Sequence, residues 1–187
     1  DLDKEIVSMV FQNYNESMMP WKTVKGNIEI GLLKFISNKK ERQEIVEYLI
    51  NKYGLSSYSE KYFYELSGGM KQLTALCRAI SNKPNVLLLD EPFSALDYST
   101  SRFLEEKLQE MLLNNPAATV LSTHDPDNAI ALSDKIIVLS PSPMKILSIL
   151  SVPFQRPRHQ NLFKSTEFFH LKNQIIDIFT QNNAQIV

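Results

Sequence analysis

One cysteine stands among 187 residues. Cys77 therefore has no partner for an internal disulfide, and its place in an apolar helical pattern marks a buried, reduced thiol of a cytosolic protein. No apolar run approaches the roughly 18 residues needed to span a membrane, and no signal-peptide pattern opens the chain. Charge of either sign is not in excess. Twenty Lys and Arg against 21 Asp and Glu leave a net charge of −1, so composition gives no support for bulk binding to nucleic acid or to an anionic membrane. Internal repeats and low-complexity tracts are absent. Glycine is scarce, at five residues, and two of the five are adjacent, Gly68 and Gly69. What is there, 43% hydrophobic and 22% charged residues, suits one globular domain with a core of ordinary size.

The order of elements reads as α/β. Ile6–Phe11 is a short β-branched, apolar strand ending at Gln12, and a loop rich in Asn, Ser and Pro follows. Thr23 is placed to cap a helix over Val24–Phe35, with Trp21 beside it as a packing anchor. Lys39–Tyr53 predicts an amphipathic helix burying Ile45, Tyr48, Leu49 and Tyr53, with Gly54 as its C-cap. Residues 23–64 thus read as a mainly helical insert, its tyrosines 53, 58, 62 and 64 packed between helices. Met70–Asn82 predicts a helix and Val86–Leu89 a parallel strand buried on both faces. A further helix starts at Asp97 and runs to about Leu113. Thr119–Ser122 reads as a second buried strand, followed by a short helix over Pro126–Leu132 and a strand over Lys135–Leu139. Met144–Val152 is expected to pair antiparallel at the sheet edge, Pro153–Asn161 to be an exposed linker carrying Arg156 and Arg158, and a last helix to bury Phe168, Leu171, Ile175 and Ile178.

Leu66–Asp97 concentrates the chemistry. The turn Leu66-Ser67-Gly68-Gly69 runs straight into a helix, and backbone N–H groups at a helix start attract phosphate. The strand Val86–Leu89 delivers two adjacent carboxylates, Asp90 and Glu91, which suit Mg²⁺ and a polarised water. His124 follows the next strand, at the end of an open α/β sheet where ligands gather.

Read together, Leu66-Ser67-Gly68-Gly69-Met70-Lys71-Gln72 resembles the signature motif of ATP-binding cassette (ABC) proteins. Val86–Pro92 resembles their Walker B strand with its following glutamate, Ser94-Ala95-Leu96-Asp97 their D-loop and Val10-Phe11-Gln12 their Q-loop. His124, 33 residues after Glu91, matches the switch histidine. The resemblance implies a P-loop NTPase-like core with a mostly parallel sheet and a helical subdomain, binding ATP and Mg²⁺. It assigns Asp90 and Gln12 to the metal, Glu91 and His124 to catalysis, and Gln12, Ser67, Gly68, Gly69 and Asp97 to nucleotide. It places residues 23–82 in the helical subdomain, 1–22 and 83–152 in the catalytic core, and 153–187 in a C-terminal extension. Pro20–Val24, the LSGGM form of the signature, Glu91–Asp97, Leu139–Pro143 and Arg156-Pro157-Arg158 look most like importer subunits of the nitrate, sulfonate and taurine group. The partners implied are a second ATP-binding subunit arranged head-to-tail, a transmembrane permease and, indirectly, a solute-binding protein, with no nucleic acid. The implied location is peripheral, on the cytoplasmic face of the cell membrane.

One part of the pattern is not in the sequence. No G-x-x-x-x-G-K-[ST] occurs, and only 11 residues precede Gln12, where the family places that loop upstream. The reading is an incomplete chain, which begins at Asp1 rather than Met and should not hydrolyse ATP alone. Leu73 and Thr74 also depart from the Arg and small residue common after the signature glutamine. A soluble cassette ATPase and a non-catalytic cassette module are the competing readings.

Overall fold

The computed structural model describes residues 6–183. They form strands β1 (Val7–Val10), β2 (Val86–Asp90), β3 (Ala118–Ser122), β4 (Lys135–Leu139) and β5 (Ile146–Ser151). The helices are α1 (Tyr14–Ser17), α2 (Val24–Ile30), α3 (Lys39–Tyr53), α4 (Gly68–Ser81), α5 (Tyr98–Asn114), α6 (Pro126–Leu132) and α7 (Thr166–Asn183). The chain divides into two compact units, one up to Ser122 and one from Thr123 onward.

The first unit is built on a parallel sheet in the order β1-β2-β3. Val10 pairs with Leu89, and Asp90 with Ser122. Parallel pairing demands long crossovers; α1 to α4 fill the first and α5 the second. Helix α4 is the hub. It packs against β1, α1, α2, α3 and α5, and Leu73, Leu76, Cys77 and Ile80 along it are buried. Cys77 is buried as expected, and burial pushes its thiol well above its usual range. Local chemistry sets the helix ends. Thr23, Asn38, Ser67 and Asp97 accept backbone N–H groups as N-caps. Gly54 closes α3 in the left-handed region at φ 79°. The loop after Gln12 is pinned from two sides. Asn27, fully buried, accepts from Met19 N at 2.9 Å and donates to the Met19, Lys22 and Thr23 carbonyls, while Arg78 Nη1 donates to Ser17 O at 2.7 Å.

Several expectations change here. Strand β3 is not buried: Val120 is 62% exposed. Its run of apolar residues lacks alternation, but it is bonded on one side only among the described residues. Strand β2 is fully buried on the face of Leu87 and Leu89 alone. The opposite face of the sheet leaves Val7 and Met9 exposed too. Helix α3 begins and ends as predicted, but it buries Val46, Leu49, Ile50 and Tyr53, while Tyr48 is exposed. Helix α2 stops at Ile30, short of Phe35. Trp21 is 69% exposed and is no packing anchor. Of the four tyrosines only Tyr53 is buried; Tyr62 and Tyr64 stack on each other at 5.6 Å, exposed.

In the second unit β4 and β5 pair antiparallel as a two-stranded sheet of their own rather than at the edge of the main one. The core joins Ile130 of α6, Ile136 and Val138 of β4, and Phe168, Leu171 and Ile175 of α7; Ile178 packs against it, so the α7 stripe lies as predicted. Lys172 Nζ reaches Asp127 Oδ1 at 2.8 Å between α7 and α6. The segment read as an exposed linker is the opposite of that at Arg158, which is 3% exposed. Its Nη1 donates to the carbonyls of Ile130 (2.8 Å), Ala131 (3.2 Å) and Ser133 (2.7 Å), and its Nε and Nη2 donate to Phe154 O. Arg156 Nη2 donates to Leu132 O at 2.6 Å. The two guanidiniums satisfy carbonyls that the end of α6 leaves without intrahelical donors. Desolvation lowers the Arg158 pKa, and neighbouring Arg156 adds to this while Asp134 opposes it.

Candidate functional site

Strands β1 and β2 run parallel, so both end at one edge of the sheet. Gln12 lies two residues past the β1 position paired with Leu89, and Asp90 one residue past Leu89 itself. Gln12 is exposed; Asp90 and Glu91 are half-buried.

At Glu91 the chain turns sharply. Its φ is 42°, in the left-handed region, where a non-glycine residue costs about 1–2 kcal/mol. The conformation is held at both ends of the residue. Glu91 N donates to Ser122 O at 3.1 Å and Ser122 Oγ at 3.2 Å, and Glu91 O accepts from Ser94 Oγ at 3.1 Å. Ser122 Oγ in turn donates to Asp90 Oδ1 at 2.6 Å. Asp90 Oδ2 accepts no hydrogen bond among the described residues.

A second cluster forms around the Gly-rich turn. Ser67 Oγ accepts from Met70 N at 3.4 Å, and the Gly68 and Gly69 amides at the helix start lie outside the intrahelical ladder. Gly69 is buried. A Cβ built there would lie 2.5 Å from Thr100 Cγ2, so the glycine lets the first turns of α4 and α5 approach closely. Thr100 is tied to Asp97, whose Oδ1 accepts from Thr100 N (3.0 Å) and Ser99 Oγ (2.6 Å) and whose Oδ2 accepts from Thr100 Oγ1 (2.6 Å). These bonds, Ser99's first and then Thr100's, hold the Asp97 carboxyl well below the usual carboxylate range. The cap is therefore in place at neutral pH and is lost only as pH falls deep into acid.

The close approach carries a prediction. Gly69→Ala should destabilise the protein by about 1–3 kcal/mol, the usual cost of overpacking. Thr100→Ser, which removes Cγ2 and keeps the hydroxyl on Asp97, should recover most of that loss. Urea denaturation of the two single variants and the double variant reads the coupling; simple additivity would sink the idea.

The structure thus brings Asp90 and Glu91 together with Ser122, and Gly69 together with Thr100 and Asp97. His124 belongs to the second unit, exposed, directly before the α6 N-cap Asp125. Ser122 and Thr100 were not singled out from the sequence. Only the strand register sets Ser122 opposite Asp90, though a hydroxyl ending a strand beside a carboxylate strand is a readable signal. Among the described residues no three His, Cys, Asp or Glu converge, so there is no dedicated protein cage for a cation. The single open Asp90 oxygen with Glu91 beside it fits a cation bound through one or two carboxylates and completed by phosphate oxygens and water. Two clefts of about 460 and 430 Å³ among the described residues lie along α7, around His170 and Gln174, away from these residues in sequence.

Comparison with known proteins adds a family. The ABC transporter family matches residues 2–94. The nitrate import ATP-binding protein NrtC of Synechococcus elongatus is 39% identical over 177 residues, covering 92% of this chain and 27% of its own. The bicarbonate transport ATP-binding protein CmpC of the same organism is 41% identical over 177 residues, 92% of this chain and 26% of its own. An uncharacterised ABC transporter ATP-binding protein of Methanocaldococcus jannaschii, MJ0412, is 39% identical over 171 residues, 91% of this chain and 62% of its own. The chain therefore spans about a quarter of the first two and under two thirds of the third. Among solved structures, a dimeric post-hydrolysis state of the ATP-binding cassette MJ0796 bound to ADP and Pi matches with a TM-score of 0.65 at 24% identity, over 82% of this chain and 66% of that one. The solved structure matches the α/β fold with its parallel sheet, and the ordered motifs and the relatives agree with the family match: the chain belongs to the ATP-binding cassette family.

Proposed function

We propose that this chain is part of the ATP-hydrolysing subunit of an ABC importer for a small anion of the nitrate, bicarbonate or sulfonate kind. The observation that carries the reading is the Asp90–Glu91 pair, held in a strained turn at the carboxyl edge of a parallel sheet. Asp90 directs one open oxygen to the cation that accompanies the nucleotide. Glu91 orients the attacking water and takes its proton. The amide oxygen of Gln12 reaches the metal or the water and reports nucleotide state to the permease. The role assigned to His124 is contact with the γ-phosphate. Mg²⁺, when bound, would be held by Asp90 and would supply neutralisation of phosphate charge. Ser67, Gly68 and Gly69 present a hydroxyl and helix-start amides to the nucleotide of a second ATP-binding subunit arranged head-to-tail. Asp97 acts on that site through the position of α5, its carboxylate being engaged as the cap.

The phosphate loop for the chain's own nucleotide belongs, on this reading, to the longer protein, as the greater length of the relatives supports. No helix among the described residues is long and apolar enough to cross a membrane, which accords with a subunit docked on a permease from the cytoplasmic side. The test is Mg-ATP hydrolysis by a longer form carrying a G-x-x-x-x-G-K-[ST] loop, assembled with its permease, beside the 187-residue chain alone. Turnover by the first and none above background by the second is expected. No turnover by the assembled complex would overturn the importer reading in favour of a non-catalytic module.

A further inference from the structure

We propose that Ser122 is a positioning residue for the metal-binding carboxylate, a role that rests on Asp90 holding the nucleotide's cation. One hydroxyl serves two groups in a fixed sense. Glu91 N–H is only a donor, so at 3.2 Å the Ser122 oxygen accepts from it. The hydroxyl proton then points to Asp90 Oδ1 at 2.6 Å, the length of a charge-assisted O–H···O⁻ bond. This contact engages one carboxylate oxygen and fixes the carboxyl plane, so that Oδ2 is presented in a single direction. The same residue, through its carbonyl and hydroxyl together, anchors the amide of Glu91 in its left-handed turn.

The placement comes from the sheet. Register pairs Asp90 with Ser122 across adjacent parallel strands, so the two side chains share one face at the carboxyl edge. An apolar residue at position 122 would leave Asp90 Oδ1 without its donor and free the carboxylate to rotate. It would also remove one of the two acceptors that Ser122 offers the Glu91 amide. The cation then meets a carboxylate that must be ordered at the moment of binding, which weakens it without removing a ligand.

The experiment uses the longer form with its phosphate loop and compares wild type, Ser122→Ala and Ser122→Thr. The readout is Mn²⁺ affinity, from the electron paramagnetic resonance signal of free Mn²⁺ in the presence of a non-hydrolysable ATP analogue. Alongside it, the Mg²⁺ concentration for half-maximal hydrolysis and the KM for ATP are measured at saturating metal. Ser122→Ala is expected to weaken Mn²⁺ about tenfold, the low end for an outer-shell residue, and to raise the Mg²⁺ requirement in parallel. KM at saturating metal should stay within twofold. Ser122→Thr, which retains the hydroxyl on a β-branched frame suited to a strand, should return both quantities to within twofold of wild type. Equal Mn²⁺ affinity in Ser122→Ala and wild type would overturn the role of Ser122 while leaving the ATPase reading intact. Equal weakening in Ala and Thr would overturn it as well. A wild type that binds no Mn²⁺ with nucleotide would overturn the underlying reading and this inference together.

Discussion

Glu91→Gln in the longer, permease-assembled protein is expected to reduce ATP hydrolysis by about 10²–10⁴-fold, the usual contribution of a positioned general base. Nucleotide binding should persist. The substitution keeps the shape of the side chain and removes only its capacity to take a proton from water. The amide and carbonyl of Glu91, which the substitution leaves unchanged, bond to Ser122 and Ser94 and hold the turn that presents the side chain. Asp90 keeps its place, so Mg-ATP should bind with an affinity near that of the wild type and the melting temperature should barely change. Single-turnover hydrolysis and equilibrium binding of a fluorescent ATP analogue separate the two effects. A variant that retains a tenth or more of the wild-type rate would remove Glu91 from the role of base.

Arg158→Ala should unfold the second unit locally, at a cost of about 3–5 kcal/mol. That is the range for leaving several buried polar partners unsatisfied or breaking a buried ion pair. The guanidinium is the donor for carbonyls of Ile130, Ala131 and Ser133 at the end of α6 and for Phe154 O, and its side chain is 1% exposed. Arg158→Lys retains the charge but not the planar fork; it should recover part of the loss only. Amide hydrogen exchange reads the location: α6 and β4 should exchange more than a hundredfold faster, while protection along α4, in the first unit, stays as it was. Uniform loss of protection over both units, or none at all, would contradict this assignment of Arg158.

Arg158 marks a place where the sequence is mute. Two arginines around Pro157 look like solvent-exposed charge because nothing local names their acceptors, which are backbone carbonyls some 25 residues earlier. Helix α3 makes a related point. Its caps, Asn38 and Gly54, are local chemistry and set its limits as predicted. Its apolar residues cover a wide arc, and packing against α2 and α4 turns Val46 and Ile50 inward in place of Ile45 and Tyr48. Strand β3 read as buried because Thr119–Leu121 do not alternate, yet burial depends on what lies beside a strand. The Gly-rich turn and the carboxylate pair were legible because each is a short contiguous run whose residue types follow from the chemistry. Their supports, Thr100 against Gly69 and Ser122 against Asp90, are tertiary and became visible only with the register and the helix packing in hand.

The register of β1 against β2 also constrains the order of assembly. Val7 pairs with Val86, and α1 to α4 lie between them, whereas β2 and β3 are joined by α5 alone. The loop-closure entropy of the longer connection exceeds that of the shorter by only about 1 kcal/mol, but during synthesis β1 has no parallel partner until the chain has grown past β2. Gln12 therefore cannot take its place beside the carboxylates before the whole helical segment has been made and folded back. The carboxyl end of β1 is fixed by one of the most non-local pairings in the unit, and topologies dominated by such pairings form slowly.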